Sequence, residues 1–257
     1  MNKNIFIFSP DGFPTRKNVN LGIFSFEQAK AIKGYKVFLF DLSTNNTKKI
    51  FTDNYQGFKI YRLLNTKFNI IKIFYNILFI NNITKANKPY LILSSFLNLK
   101  NCIYTNFLNS KKIVLVHGSD ANPTSFLRKI IFDYYLNKLN KIICVSNYTK
   151  KILLQNFKNI KKKTITVHNG FSKEKLYKIN KNFKKKIQDK KKILILTIAN
   201  LVPRKNIHNL INIFYKINLR AKNKYHLNIV GDGSEKNNLI NLIKNYNLHK
   251  KKIFVSR

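Results

Sequence analysis

Residues 197–214 read TIANLVPRKNIHNLINIF. An apolar run ends at Ala199, a loop carries Pro203, Arg204 and Lys205, and Ile207, Leu210, Ile211 and Phe214 then recur at i, i+3, i+4 and i+7. The first pattern suits a buried strand and the second a helix with one apolar face. Pro203 suits a helix start, because its fixed φ and missing N–H cost nothing there. The helix is expected to hold Arg204 and Lys205 in its first turn. Two cations beside backbone N–H groups with no intrahelical partner make a phosphate site, and a pyrophosphate is the expected ligand. An ordinary surface turn at a helix start would show the same residues.

Outward from this stretch, the alternation continues in both directions. Strands are expected over 5–9, 36–41, 59–63, 90–94, 112–117, 141–146, 164–167, 193–199, 226–230 and 253–255. Helical spacing falls between many of them, as with Leu239, Leu242, Ile243 and Tyr246. Such alternation builds parallel sheets covered by helices, an α/β fold. Ten lysines in the twenty residues 173–192 break the rhythm and read as an exposed basic linker. The expected organisation is a first doubly wound unit over 1–172, the linker over 173–192 and a second unit over 193–257.

The 257 residues, 44% of them apolar, can supply the cores of two modest domains. Lys+Arg 49 against Asp+Glu 10 gives a formal charge of +39. The excess is nearly all Lys, with Asn, Ile, Phe and Tyr abundant, the residue choice that AT-rich coding imposes. Whatever its origin, the field attracts polyanions and anionic lipid surfaces. No recognition helix, RNA-binding signature or aromatic stacking platform is legible, so no specific nucleic-acid partner is expected. Cys102 and Cys144 have no Cys or His at ligand spacing, which supports neither a disulfide framework nor a zinc site. The first apolar stretch is too short for a signal sequence, and no run approaches the roughly 20 apolar residues of a membrane span. A cytoplasmic protein is the expectation. Residues 68–83, FNIIKIFYNILFINNI, mix aromatics with Lys and Asn and read either as an interfacial membrane helix, through Phe74 and Phe79, or as a core-facing helix.

Three further segments carry candidate residues. Gly22 precedes the helix-like GIFSFEQAKAI, where N–H groups could face a ligand or Gly22 could simply permit a turn. His117 ends an apolar strand in VLVHGSDAN, with Asp120 near it, and ligands of open parallel sheets lie beyond the carboxyl ends of strands. Gly231 and Gly233 allow a tight turn, after which Asp232 or Ser234 could cap the next helix.

VLVHGSD, KIICVSNYTKKIL, ITVHNGFSKEKLY, TIANLVPRKNIHNLINIF and LNIVGDGSEKNNL follow one another in the order and approximate spacing of the retaining GT-B glycosyltransferases called group 1, which the chain resembles over nearly its whole length. The resemblance implies two Rossmann-like domains, a nucleotide-sugar donor held mainly by the second and a glycan or lipid-linked acceptor held mainly by the first, without a metal or other cofactor. It implies that Lys205 and Arg204 contact the donor diphosphate, that Gly22 lets the first loop approach the same phosphates, and that His117 lies beside the transferred sugar. Asn200 stands where many relatives have Arg, Asn206 where Gly is frequent, and His168 where Pro is frequent. The family's later E-x7-E pair matches no pair among Glu27, Glu174 and Glu235. The second unit is therefore expected to be incomplete, with an exposed hydrophobic edge at ILILTIA, and a complementing chain becomes an expected partner. An inactive fragment and a basic polyanion-binding protein are the competing readings. Peripheral contact with the inner face of a membrane fits a lipid-linked acceptor.

Overall fold

A computed structural model describes residues 3–43, 49–66, 69–170, 193–220, 225–248 and 253–256. The chain divides into two compact units, Met1–Phe171 and Ser172–Arg257. The basic linker expected over 173–192 lies outside the described residues.

The first unit is built on strands β1 (Asn4–Ser9), β2 (Lys36–Asp41), β3 (Phe51–Tyr55), β4 (Phe58–Arg62), β5 (Pro89–Ser94), β6 (Lys111–Val116), β7 (Lys141–Cys144) and β8 (Thr164–Thr166). They form one sheet in the order β3-β4-β2-β1-β5-β6-β7-β8, parallel except for the β3–β4 hairpin. Helices α1 (Ile23–Ala31), α2 (Ile70–Asn87), α3 (Leu99–Asn106), α4 (Phe126–Asn137) and α5 (Asn147–Asn156) connect the parallel strands. From β1 the chain winds one way to β2 and β4, then returns to wind the other way from β5 to β8. Right-handed crossovers thus put α1 on one face and α2 to α5 on the other. Period-two alternation in β1 shows both faces filled: Ile5 and Ile7 pack with Phe26 of α1, whereas Phe6 and Phe8 pack toward Ile80 of α2 and Tyr104 of α3.

The hairpin strand β3 is absent from the sequence expectations. Its FTDNY carries three polar residues, and it exists because Gln56 and Gly57 both adopt positive φ, 48° and 82°, the geometry of a type I′ hairpin turn. The hairpin brings Asp53 to Arg62. That buried guanidinium also pairs with Asp41 and donates to the Phe13 carbonyl at 2.8 Å and the Pro14 carbonyl at 2.6 Å, tying down the loop after β1. Helix α2 is apolar on two sides. Ile73, Ile77 and Ile80 face the core, as does Phe79, whose ring meets Tyr61 edge-on at 5.6 Å, while Phe74 is exposed. Phe79 is therefore a partly buried residue packed against the core.

The second unit contains β9 (Ile193–Ile198), α6 (Ile207–Arg220), β10 (Tyr225–Val230), α7 (Lys236–Asn245) and β11 (Ile253–Ser256), with parallel order β11-β10-β9. Ile207, Ile211 and Phe214 of α6 and Leu239 and Ile243 of α7 share one core with Leu227 and Ile229. Among the described residues β9 is an edge strand, and Leu194, Leu196 and Ile198 are exposed on it. No described helix is long and apolar enough to cross a membrane.

Candidate functional site

In the first unit the chain reverses its winding between β1 and β5, and the carboxyl ends of these strands flank the place where open α/β sheets hold ligands. His117, immediately after β6, is half-buried here. Its Nε2 lies 3.0 Å from the Ser95 carbonyl oxygen, which can only accept, so Nε2 carries the proton and Nδ1 keeps a lone pair. Phe96 packs against the ring at 4.4 Å and Phe24 of α1 meets it edge-on at 4.7 Å. Asp120 Oδ1 accepts from the backbone N–H of His117 at 2.7 Å and of Gly118 at 2.8 Å, and so fixes the strand-end loop. Burial pushes the imidazole pKa below its ordinary 6.5, against the opposing pull of Asp120, the Ser95 carbonyl and Asp11. A neutral imidazole with a defined acceptor nitrogen can take a hydrogen bond from a ligand hydroxyl.

Asp11, in the loop after β1, belongs to this cluster and was not singled out in the sequence. Its carboxyl stands in a surface loop that is still shielded enough for desolvation to raise its pKa above the ordinary 3.8. His117 draws that pKa down and Asp120 raises it. With Pro10, Asn18, Asn20 and Gly22 it lines a cavity of about 470 Å³. SPDGFP does show Asp11 directly after the first strand, but its proximity to His117 comes only from the sheet order.

Gly22 is the residue before α1, with φ 54°. A Cβ there would lie 1.9 Å from the Gly12 carbonyl oxygen. Close packing of two loops accounts for this glycine, whichever ligand the loops meet.

Asn200, Arg204 and Lys205 are brought together in the loop after β9, all exposed. The expectation that the two cations occupy the first turn of the helix is corrected by the backbone. They lie in a separate 3-10 turn, Pro203–Lys205, and Asn206 at φ 52° divides it from α6. Glycine and, less readily, Asn or Asp favour that left-handed geometry, which suits Asn at this position. The neighbouring loop after β10 braces the turn: Leu201 N donates to the Asp232 carbonyl at 2.8 Å, and Glu235 N to the Leu201 carbonyl at 2.9 Å. A Cβ on Gly231 would sit 1.9 Å from the Ala199 carbonyl oxygen, so this contact requires glycine. Neither Asp232 nor Ser234 caps α7. The residue before that helix is Glu235, without a side-chain cap, and Asp232 Oδ1 accepts from Gly233 N at 3.0 Å.

Among the described residues no three His, Cys, Asp or Glu side chains converge to hold a metal ion. Cys102 and Cys144 are free and buried, with thiol pKa values pushed up to about 12 and about 11 by desolvation, so neither is a poised nucleophile.

Residues 178–257 match the family model described as glycosyl transferases group 1. The chain is similar to a protein named an uncharacterized glycosyltransferase of Methanocaldococcus jannaschii, 29% identical over 79% of this chain and 52% of that protein. It thus spans about half the length of that curated relative. Among solved structures, a glycosyltransferase from Rickettsia africae is 21% identical, with TM-score 0.67 over 100% of this chain and 69% of the other. The Anabaena protein HepE, solved in complex with UDP and glucose, is 14% identical with TM-score 0.67 over 100% and 70%. The two α/β units, the ordered motifs and these matches agree: the chain has the GT-B architecture, covers part of the length of its relatives, and is similar to the group 1 glycosyltransferases, whose family model matches its residues 178–257.

Proposed function

We propose that this chain contributes to the transfer of a hexose from a nucleotide-sugar donor to a glycan or lipid-linked acceptor, with retention at the sugar carbon, in polysaccharide biosynthesis on the cytoplasmic side of a membrane. The observation that carries the reading is the braced loop after β9, which presents Arg204 and Lys205 at the carboxyl end of a parallel strand within the segment that matches the family. In the second unit these cations neutralise the donor diphosphate. Charge grows on the leaving nucleoside diphosphate as the glycosidic bond breaks, so both act most strongly in the transition state. Asn200 supplies a neutral hydrogen bond from the same loop. In the first unit, the free Nδ1 of His117 accepts from a hydroxyl of the transferred sugar, and Gly22 permits the backbone approach of the first loop. No metal or other cofactor takes part in this reading. The binding of UDP by HepE supports a nucleotide donor.

Calorimetric titration of this chain with UDP, GDP and ADP tests the reading. One of them should bind, and Arg204→Ala with Lys205→Ala should weaken it about tenfold or more, the scale of losing charge-assisted hydrogen bonds. Absence of binding by all three, or affinity unchanged in the double variant, would refute it. A steep salt dependence without any nucleotide response would instead favour a basic polyanion-binding protein.

A further inference from the structure

We infer that the amino-terminal border of the first unit's sheet is a binding track for single-stranded nucleic acid, held without base preference. Each of the consecutive strands β4, β2, β1, β5, β6 and β7 begins beside an exposed lysine: Lys59, Lys36, Lys3, Lys88, Lys111 and Lys141 in spatial order. Backbone register sets these starts side by side. Lys36 N donates to the Lys3 carbonyl, Leu91 pairs with Lys111, and Ile113 pairs with Lys141. At about 4.8 Å per strand, the row spans roughly 24 Å. Charge is sorted between the two borders. Asp11, Asp41 and Asp120 stand at the carboxyl ends of strands, while Glu27, Asp53 and Asp133 lie within α1, β3 and α4. Among the described residues none of the six lysines is in an ion pair.

Other lysines at this border support the fold. Lys112 Nζ donates to the Asn106 carbonyl at the end of α3, and Lys163 Nζ to the Asn137 carbonyl at the end of α4. Four of the exposed six are instead steadied by rings. Lys3 Nζ and Lys111 Nζ lie 4.8 and 5.2 Å from the centre of the Tyr90 ring, and Lys36 Nζ and Lys59 Nζ each lie 5.2 Å from Phe38 and Tyr61. Pinned stems lower the ordering cost when the ammonium groups meet an anion. The tyrosines select the occupant. Tyr35 and Tyr90 remain 43% and 41% exposed at the starts of β2 and β5, two strands apart among these cations. Exposed rings interleaved with cations fit the bases and phosphates of a single strand, whereas a polyphosphate would use the charge alone. The inference stands apart from the donor reading, because this border lies at the opposite ends of the strands from His117 and Asp11 and requires no nucleotide sugar.

Fluorescence anisotropy of a labelled oligouridine of about 12 nucleotides, titrated with this chain over a series of salt concentrations, tests it. The slope of log affinity against log salt reports the phosphates engaged, about 0.7 for each on a single strand. Lys3→Gln with Lys36→Gln and Lys111→Gln should lower that slope by about 2. Lys72→Gln with Lys129→Gln and Lys151→Gln removes the same charge from exposed helix positions and should change it by less than about 0.7. Tyr35→Ala with Tyr90→Ala keeps the net charge and should weaken binding about fivefold or more. If that pair melts early, Tyr35→Ser alone serves the same end. Three results would overturn the inference: no oligouridine binding, equal slope changes from the two lysine triples, or silent tyrosine variants with polyphosphate displacing the oligonucleotide charge for charge. The first of these, with a nucleoside diphosphate still bound, would leave the donor reading standing.

Discussion

Replacing Gly22 by Ala tests whether the loop before α1 is fixed by packing. Two costs are separable. A residue with a Cβ at φ 54° pays about 1–2 kcal/mol for the left-handed backbone. The new methyl also falls 1.9 Å from the Gly12 carbonyl oxygen and 2.4 Å from its carbon, so one loop must retreat by about 1 Å or more to reach ordinary contact. The Gly12 loop is held by Arg62, which donates to Phe13 and Pro14 from a buried position, and each such charged hydrogen bond is worth about 1.5–3 kcal/mol. Straining one of them on top of the backbone cost gives about 3–5 kcal/mol. Gly34→Ala is the matched control: φ is 77°, but no atom lies within 4 Å of its Cβ, and only the backbone cost of about 1–2 kcal/mol applies. Urea unfolding followed by circular dichroism, with the transition of the first unit fitted separately, reads both variants. A Gly22→Ala variant within about 1 kcal/mol of Gly34→Ala would refute the claim that the two loops are locked together.

Two further outcomes follow from the same geometry. His117 should titrate below 6.5 by NMR of its ring protons. Its neutral form is fully favoured above pH 6.5, and the stability tied to it is lost as pH falls through the depressed folded value. Asp11, raised above 3.8, acts in the opposite sense and loses stability as pH rises through its folded value. Accordingly His117→Gln should flatten the acid-side decline of the unfolding midpoint; a His117 titrating above 6.5 would contradict the burial argument. At Asn206, φ 52°, a Gly replacement should be tolerated and a Val replacement should cost about 1–2 kcal/mol in the second unit. A Val variant as stable as the parent would mean that the turn is not left-handed.

Most strand positions were legible because parallel strands read as short apolar runs bounded by turns, and β2 at Lys36–Asp41 coincides with its expected bounds. What escaped was decided by a single backbone angle or by distant partners. FTDNY gives no apolar signal, and only the positive φ at Gln56 and Gly57 folds it onto β4. Arg204 and Lys205 look helical in sequence until Asn206 turns left-handed and cuts their turn away from α6. Around His117, Ser95 and Phe96 come from the end of β5, Phe24 from α1 and Asp11 from the loop after β1. No periodicity joins those segments, because the sheet order brings them together.

The same limit explains the apolar face left uncovered in the second unit. A run such as ILILTI tells how much apolar area a strand carries and leaves open which of its faces is covered. Direction of winding supplies the second part. In the first unit the reversal at β1 and β5 places α1 opposite α2 to α5, and both faces of β1 are buried. In the second, β9, β10 and β11 succeed one another in a single direction, so right-handed crossovers send both α6 and α7 to the face shared by Ile195, Leu227 and Ile229. Leu194, Leu196 and Ile198 then point to the face without a helix among the described residues, Ile198 at 72% exposure. Their exposure requires no weakness in the strand itself. A strand paired on the far side of β9 and reached by a right-handed crossover would place its helix on that face, because it winds in the opposite direction.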